Sequence, residues 1–276
     1  MRLRVSGAIS RILLLTSLAA LGSLNLKTLA VGQIATLGAV AAFALLRVSR
    51  QLGVAPRFGA IRRGHVRSTM LYGIGIGASI AQADGDKFVL NAAHHQADAG
   101  RYGAAYRLMG VVMLPIYALA GATHVSFLDG TAGPGGQVRR AIRLSLVGMA
   151  YAVPAIVALE IIAPYIPKIL GRDFAETTVI LRLLAPVVAL RGLGVFPMNG
   201  LMGLGRNALR MKLLVSNALL SLLLYALLIP GYSWTGALVG TLVSETTLAI
   251  SAWAALLACE RIQRTEEVSR TGGAVS

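Results

Sequence analysis

The chain predicts an all-α bundle of membrane-spanning helices, and three observations carry that reading. Hydrophobic residues fill 56% of its 276 positions and charged residues only 13%, whereas a soluble domain carries about 25% charged residues. Apolar runs recur at about 20 residues, the length that crosses a bilayer as a helix. Lysine and arginine fall between these runs, dense in one connection and sparse in the next. The net charge of +15 does not point to nucleic acid, because aromatics are 6% of the chain and the basic residues are not gathered on one soluble domain.

Taken in order, about eight spans are expected, at about 8–25, 28–46, 70–90, 102–127, 141–163, 174–201, 210–229 and 235–257. The first follows a basic start (MRLR) and could be read as a signal peptide. No small-x-small cleavage site follows it and the next apolar run begins just after Lys27, so it is expected to stay as a helix. These spans divide into a two-helix hairpin (1–46), a basic linker (47–69), a six-helix lobe (70–258) and a tail (259–276). The linker holds six arginines (Arg47, Arg50, Arg57, Arg62, Arg63 and Arg67) and no acid. It reads either as a solvated loop or as a short helix lying on an anionic leaflet.

With the N-terminus inside, the inner segments hold 18 lysines and arginines and the outer turns only four, namely Lys27, Arg101, Lys168 and Arg172. Positive charge marks the cytoplasmic side. An even number of spans with both termini cytoplasmic follows. Pro115, Pro154, Pro164, Pro186 and Pro197 interrupt three consecutive spans, and Gly73 and Gly77 are spaced for close helix contact. Breaks of this kind survive in membranes where neighbours or cavity water satisfy the freed backbone, as in transporters.

Ionisable groups inside the spans are the candidates for chemistry, since a charge at mid-bilayer costs about 2.5–3.5 kcal/mol on insertion scales. Asp84, Asp86 and Lys87 share the third span. Asp84 and Lys87 are three residues apart and can pair on one helix face. That pair either neutralises itself for insertion or faces a cavity, where lysine suits phosphate as a point charge. On the fourth span Tyr106, Met113, Tyr117 and His124 lie within about 20° of one stripe, and Arg107 can snorkel to the headgroups. Arg182 and Arg191 share the sixth span on opposite sides of a straight helix. Glu245 is mid-span in the eighth, where it is protonated, paired with one of those arginines, or part of a proton relay. His94, His95 and Asp98 at a turn do not make the defined ligand set of a metal site. Cys259 is the single cysteine, so no intramolecular disulfide forms. No phosphate-binding loop, nucleophile elbow or HExxH is present, so neither an enzyme nor a bound cofactor is expected.

Two regions carry a family resemblance. One is Asp86-Lys87-Phe88, the polar turn near Ala97–Gly100, and Arg101-Tyr102-Gly103-Ala104-Ala105-Tyr106-Arg107. The other runs from Asn199-Gly200-Leu201 to Arg206, then Pro230-Gly231-Tyr232, Gly236-Ala237 to Gly240-Thr241, and Ser244-Glu245. In order and spacing the chain resembles the oligosaccharide flippases of the polysaccharide-biosynthesis family, in the multidrug/oligosaccharidyl-lipid/polysaccharide exporter superfamily. Those proteins have twelve to fourteen helices in two lobes around a central cavity. Residues 70–257 resemble the second lobe and 1–46 the last two helices of the first, so the chain reads as lacking four helices upstream. The resemblance implies translocation of a lipid-linked oligosaccharide across a bacterial inner membrane for surface polysaccharide (O-antigen, exopolysaccharide or capsule), driven by an ion gradient. Lys87 then aligns with a basic motif position. Membrane lipids, and polysaccharide polymerases or glycosyltransferases, are the other implied partners. A drug or small-cation exporter of the same superfamily, or a non-transporting scaffold for polysaccharide-assembly enzymes, are the alternatives.

Overall fold

The structure, a computed structural model, describes residues 26–52, 63–129 and 135–272. Every regular element among these residues is helical. The chain forms two compact units, residues 1–65 and 66–276, and their boundary falls inside the expected linker. In the first unit, helix α1 (Leu26–Leu52) has an apolar stretch of 14 residues, Ile34–Arg47, with Ile34, Phe43, Leu45 and Leu46 exposed. The expected span 8–25 and the middle of the arginine-rich linker, 53–62, lie outside the described residues.

The second unit contains α2 (Arg63–Ala92), α3 (Gln96–Leu128), α4 (Gly136–Ile162), α5 (Ile166–Leu170), α6 (Ala175–Leu184), α7 (Pro186–Gly203) and α8 (Asn207–Gly272). Three helical stretches among the described residues are long and apolar enough to cross a membrane: Gln96–Leu128, Gly136–Leu170 and Asn207–Gln263. A fourth is added if α6 with its leading turn, bent by 42° against α7, counts as one span. The bend sits where Pro186 starts α7, since proline cannot give its N–H to the preceding turn. The expected count of about eight is therefore not reached. α2 is not among the apolar helices; it carries Gln82, Asp84, Asp86, Lys87 and Asn91. α8 holds two of the expected spans in one element.

That element turns back on itself. Ser233 has φ 49° and ψ −131° between two helical runs, 207–232 and 234–272. Its hydroxyl donates to a carboxylate oxygen of Asp98 on α3, so the turn is tied to a neighbouring helix. The two runs then pack side by side: a Cβ on Gly236 would stand 2.6 Å from the Leu228 carbonyl, and one on Gly240 2.8 Å from the Tyr225 ring. Small residues at four-residue spacing let helix backbones approach in this way.

Large apolar side chains point outwards, among them Leu114, Leu146, Leu227 and Ile250, while Met109, Met113, Ile180, Leu184 and Phe196 fill the interior. Such an exterior suits lipid, where apolar surface carries no penalty. Gly148 on α4 faces the backbone of Gly192 on α7 at 3.6 Å from its missing Cβ, which brings these two helices together. At one end of the bundle Glu260 accepts the Val138 N–H at 3.0 Å, so a carboxylate from α8 satisfies a free donor in the first turn of α4.

α2 stands apart from the others. Among the described residues no helix backbone packs closely against it over several residues; its Leu90 reaches the buried core, and side chains bridge the rest of the gap. Met211 meets Gly75, Leu222 meets Gly85, and Asn217 donates to Gln82 at 3.1 Å. These pairs rise together along both helices, so α2 and the first run of α8 are parallel. The space between them is the candidate site.

Candidate functional site

The polar residues of α2 form the first part of the site. Lys87 Nζ lies 3.0 Å from Asp86 Oδ1 and 3.4 Å from Asp84 Oδ1, so both carboxylates hold one ammonium. The two acids live in different surroundings. The Asp86 side chain is 1% exposed and the Asp84 side chain 75%. Asp86 Oδ1 also accepts the Lys87 backbone N–H at 2.7 Å, while its Oδ2 is buried with no hydrogen-bond partner among the described residues.

Tyr106 of α3 links this cluster to a second one. Lys87 Nζ stands 3.9 Å from the centre of its ring, and the Arg191 guanidinium 5.3 Å from the same centre. Such contacts between a cation and an aromatic face strengthen as water is removed. Arg191 donates to the Tyr106 hydroxyl, and to Tyr117 at 3.4 Å. Its Nε and Nη2 reach Glu245 Oε1 at 2.9 and 2.8 Å. The side chains of this ion pair are 15% and 7% exposed. The pair is possible because α7 and the second run of α8 are parallel: Gly194 meets Ala249 and, further along both helices, Gly200 meets Leu256.

Behind Tyr106 is an uncharged hydroxyl junction. Thr241 Oγ1 lies 3.0 Å from the Tyr102 hydroxyl and 3.1 Å from the Tyr225 hydroxyl, and all three residues are buried. Replacing Thr241 with valine keeps the shape and removes the shared partner of two phenols. A loss of about 1–3 kcal/mol is expected for the groups left unsatisfied, read as a lower melting temperature of the purified protein. Tyr225→Phe is expected to cost less, because Tyr102 and Thr241 keep each other.

A cavity of about 320 Å³ opens beside these groups, between α2 on one wall and α7 and α8 on the other. Ser79, Gln82, Tyr117, Arg191, Asn199, Arg210 and Glu245 supply its polar lining; the remainder is apolar. It brings together three of the residues singled out from the sequence, namely Tyr117, Arg191 and Glu245. Asp86, Lys87 and Tyr106 are connected to it through Arg191 but do not line it.

Arg182 is not part of the site. It pairs with Glu160 at 3.1 Å, and both side chains are nearly half exposed. The bend at Pro186 separates it from Arg191, so the angle of a straight helix does not describe their relation. Arg107 is exposed on α3, and Asp84 forms the outer edge of the Lys87 cluster. On the tyrosine stripe of α3, Met113 is buried in the core and His124 is half-buried. No group of three or more His, Cys, Asp or Glu placed to hold a metal ion occurs among the described residues.

Five side chains enter the network that were not among the candidate site residues read from the sequence: Gln82, Asn217 and Tyr225, and Tyr102 and Thr241, which appeared only within the resemblance regions. Arg210 is a sixth residue of interest, read from the sequence only as an orientation signal. No family model matches the chain, and no curated protein or solved structure matches it.

Proposed function

We propose that this chain is a component of a transporter that moves lipid-linked oligosaccharide, or a related polysaccharide precursor, across the bacterial inner membrane. The observation that carries the reading is Lys87, a lysine held by two carboxylates on α2, a helix whose Ser79 and Gln82 line the cavity. An ammonium held this way can be given up to a pyrophosphate and taken back when substrate leaves, with Tyr106 as its resting contact. The family resemblance of the sequence supplies the substrate class.

In this reading about eight spans cross the membrane. The α8 hairpin counts as two, α2 is sheltered by its neighbours, and both termini are cytoplasmic. The drive is an ion gradient acting on rocking helices. The cytoplasmic side follows from the distribution of arginine and lysine.

The test is complementation of a strain lacking an oligosaccharide flippase, with surface polysaccharide as the readout and membrane abundance measured in parallel. Lys87→Arg is expected to support export, because it keeps the charge. Lys87→Gln at equal abundance is expected to lose it. Full export by Lys87→Gln makes the lysine structural and removes the basis of the assignment. Drug sensitivity that changes on deletion, with polysaccharide intact, identifies a small-molecule exporter instead.

A further inference from the structure

Pro197 interrupts α7 in the stretch that walls the cavity. Leu190, Arg191 and Gly194 line the cavity before the proline, and Met198 and Asn199 line it after. In an unbroken α-helix the N–H of residue 197 would bond the Leu193 carbonyl, four residues back. Proline has no N–H to give, and its ring presses on that same carbonyl. The Leu193 oxygen is satisfied from another helix. Trp253, on the second run of α8, donates its indole Nε1–H to it at 3.0 Å. Gly194 faces Ala249, so Trp253 is rooted one turn further along α8. Its ring reaches back by that turn, the direction in which helical side chains point.

A second proline shows the same substitution of donors. Pro167, near the start of α5, leaves the Ala163 carbonyl without its donor from position 167. That carbonyl accepts the Ile166 N–H within its own turn and the Thr178 hydroxyl of α6 at 3.0 Å. Away from water a freed carbonyl has no solvent to turn to, so a side chain that reaches it holds its helix in place. Trp253 suits the task, since an indole N–H can only donate. Sliding α8 by one residue would carry the donor 1.5 Å along the axis and about 100° around it. Both groups would then lose their partner. The bond therefore selects one register of α8 on α7, the register in which Glu245 meets Arg191.

We propose that Pro197 and Trp253 form a register lock: the proline clears a carbonyl, the indole fills it, and the break in α7 becomes a fixed joint rather than a hinge. Trp253 is thereby a positioning residue for the Arg191–Glu245 pair, from eight residues further along α8. The lock rests on helix packing and not on the translocation reading. Failure of polysaccharide export leaves it standing, and its own failure leaves the Lys87 test unaffected.

The full chain is purified in a neutral maltoside detergent, and amide hydrogen exchange of peptides covering residues 190–203 is followed by mass spectrometry. Trp253→Phe is expected to speed exchange there about fivefold, the scale of one lost hydrogen bond. Pro197→Ala restores a backbone donor to the Leu193 carbonyl. In that background Trp253→Phe is expected to change exchange by less than about twofold, because both backgrounds lose the same indole volume and only the hydrogen bond differs. Equal acceleration in the two backgrounds, or none in the wild type, overturns the lock. Should Pro197→Ala fail to fold, benzothienylalanine at position 253 is read alone. It keeps the bicyclic shape of tryptophan and replaces the N–H with sulfur. Faster exchange of 190–203 in that protein upholds the lock, and exchange at the wild-type rate overturns it.

Discussion

Glu245→Ala is expected to cost about 3–5 kcal/mol of stability, the scale for removing one partner of a buried ion pair. Arg191 then remains among Tyr106, Tyr117 and the cavity wall, with two phenols and no counter-charge. Arg191→Ala is expected to be as damaging, because it strands a carboxylate that is 7% exposed. The double change Arg191→Leu with Glu245→Leu is expected to recover most of the loss, since desolvation of two charges offsets much of their attraction. Thermal unfolding of the four proteins in one detergent checks this. A double variant as unstable as the singles together shows that the two residues are not coupled. A stable double variant that fails the complementation test assigns the pair to the proposed transport rather than to folding.

The second large effect is expected at Gly236. An added Cβ would meet the carbonyl carbon and oxygen of Leu228 at 2.6 Å and the nitrogen of Ile229 at 2.9 Å. All three are backbone atoms, so no side-chain rotation relieves the clash and the α8 hairpin must splay. Gly236→Ala is expected to destabilise by about 1–3 kcal/mol, and Gly236→Val by more. Gly231→Ala is the control, with nothing within 4 Å of its added carbon. A pair of cysteines placed across the hairpin would cross-link more slowly in the Gly236 variants. Unchanged stability and cross-linking in Gly236→Val would mean that the two runs do not pack as closely as described.

The charged part of the site was readable because charge inside an apolar run is conspicuous. Asp84 and Lys87 lie one helical turn apart, and their pairing follows from helix geometry alone. Glu245 was readable as a mid-span carboxylate that is protonated, paired with Arg182 or Arg191, or part of a proton relay. The bend at Pro186 decides that its partner is Arg191, and the size of a bend is not written in the residues that cause it. Tyr102, Tyr225 and Thr241 were not readable as a group. Phenols and threonines are common in membrane helices, and the partners are 139 and 16 residues apart. Arg210 was readable only as positive charge near a helix end. Its place in the cavity wall follows from the side chains that bridge α2 and α8, Met211 against Gly75 among them, and such contacts have no local pattern.

The span pattern was partly readable for a related reason. Hydropathy finds apolar length, and it marks Gln96–Leu128 and Gly136–Leu170 plainly. It does not say whether a long apolar stretch is straight. The reversal in α8 rests on one residue, Ser233, and on a hydroxyl bond to an aspartate far away in sequence. It leaves out α2, whose apolar length is broken by Gln82, Asp84, Asp86, Lys87 and Asn91.

The position of α2 has a consequence for biogenesis. In the eight-span reading proposed above, the chain emerges N-terminus first, so α2 would meet the membrane with Asp84, Asp86 and Lys87 before most of its shelter has been made. Tyr106 arrives almost at once on α3. Asn217, the partner of Gln82, is 135 residues behind its acceptor, which at a synthesis rate of about 5–20 residues per second is a delay of roughly 7–27 s. Through that interval a half-polar helix must be held by the insertion machinery or by its hairpin partner alone. Nascent chains stalled before α8 would therefore display α2 as their most protease-sensitive segment.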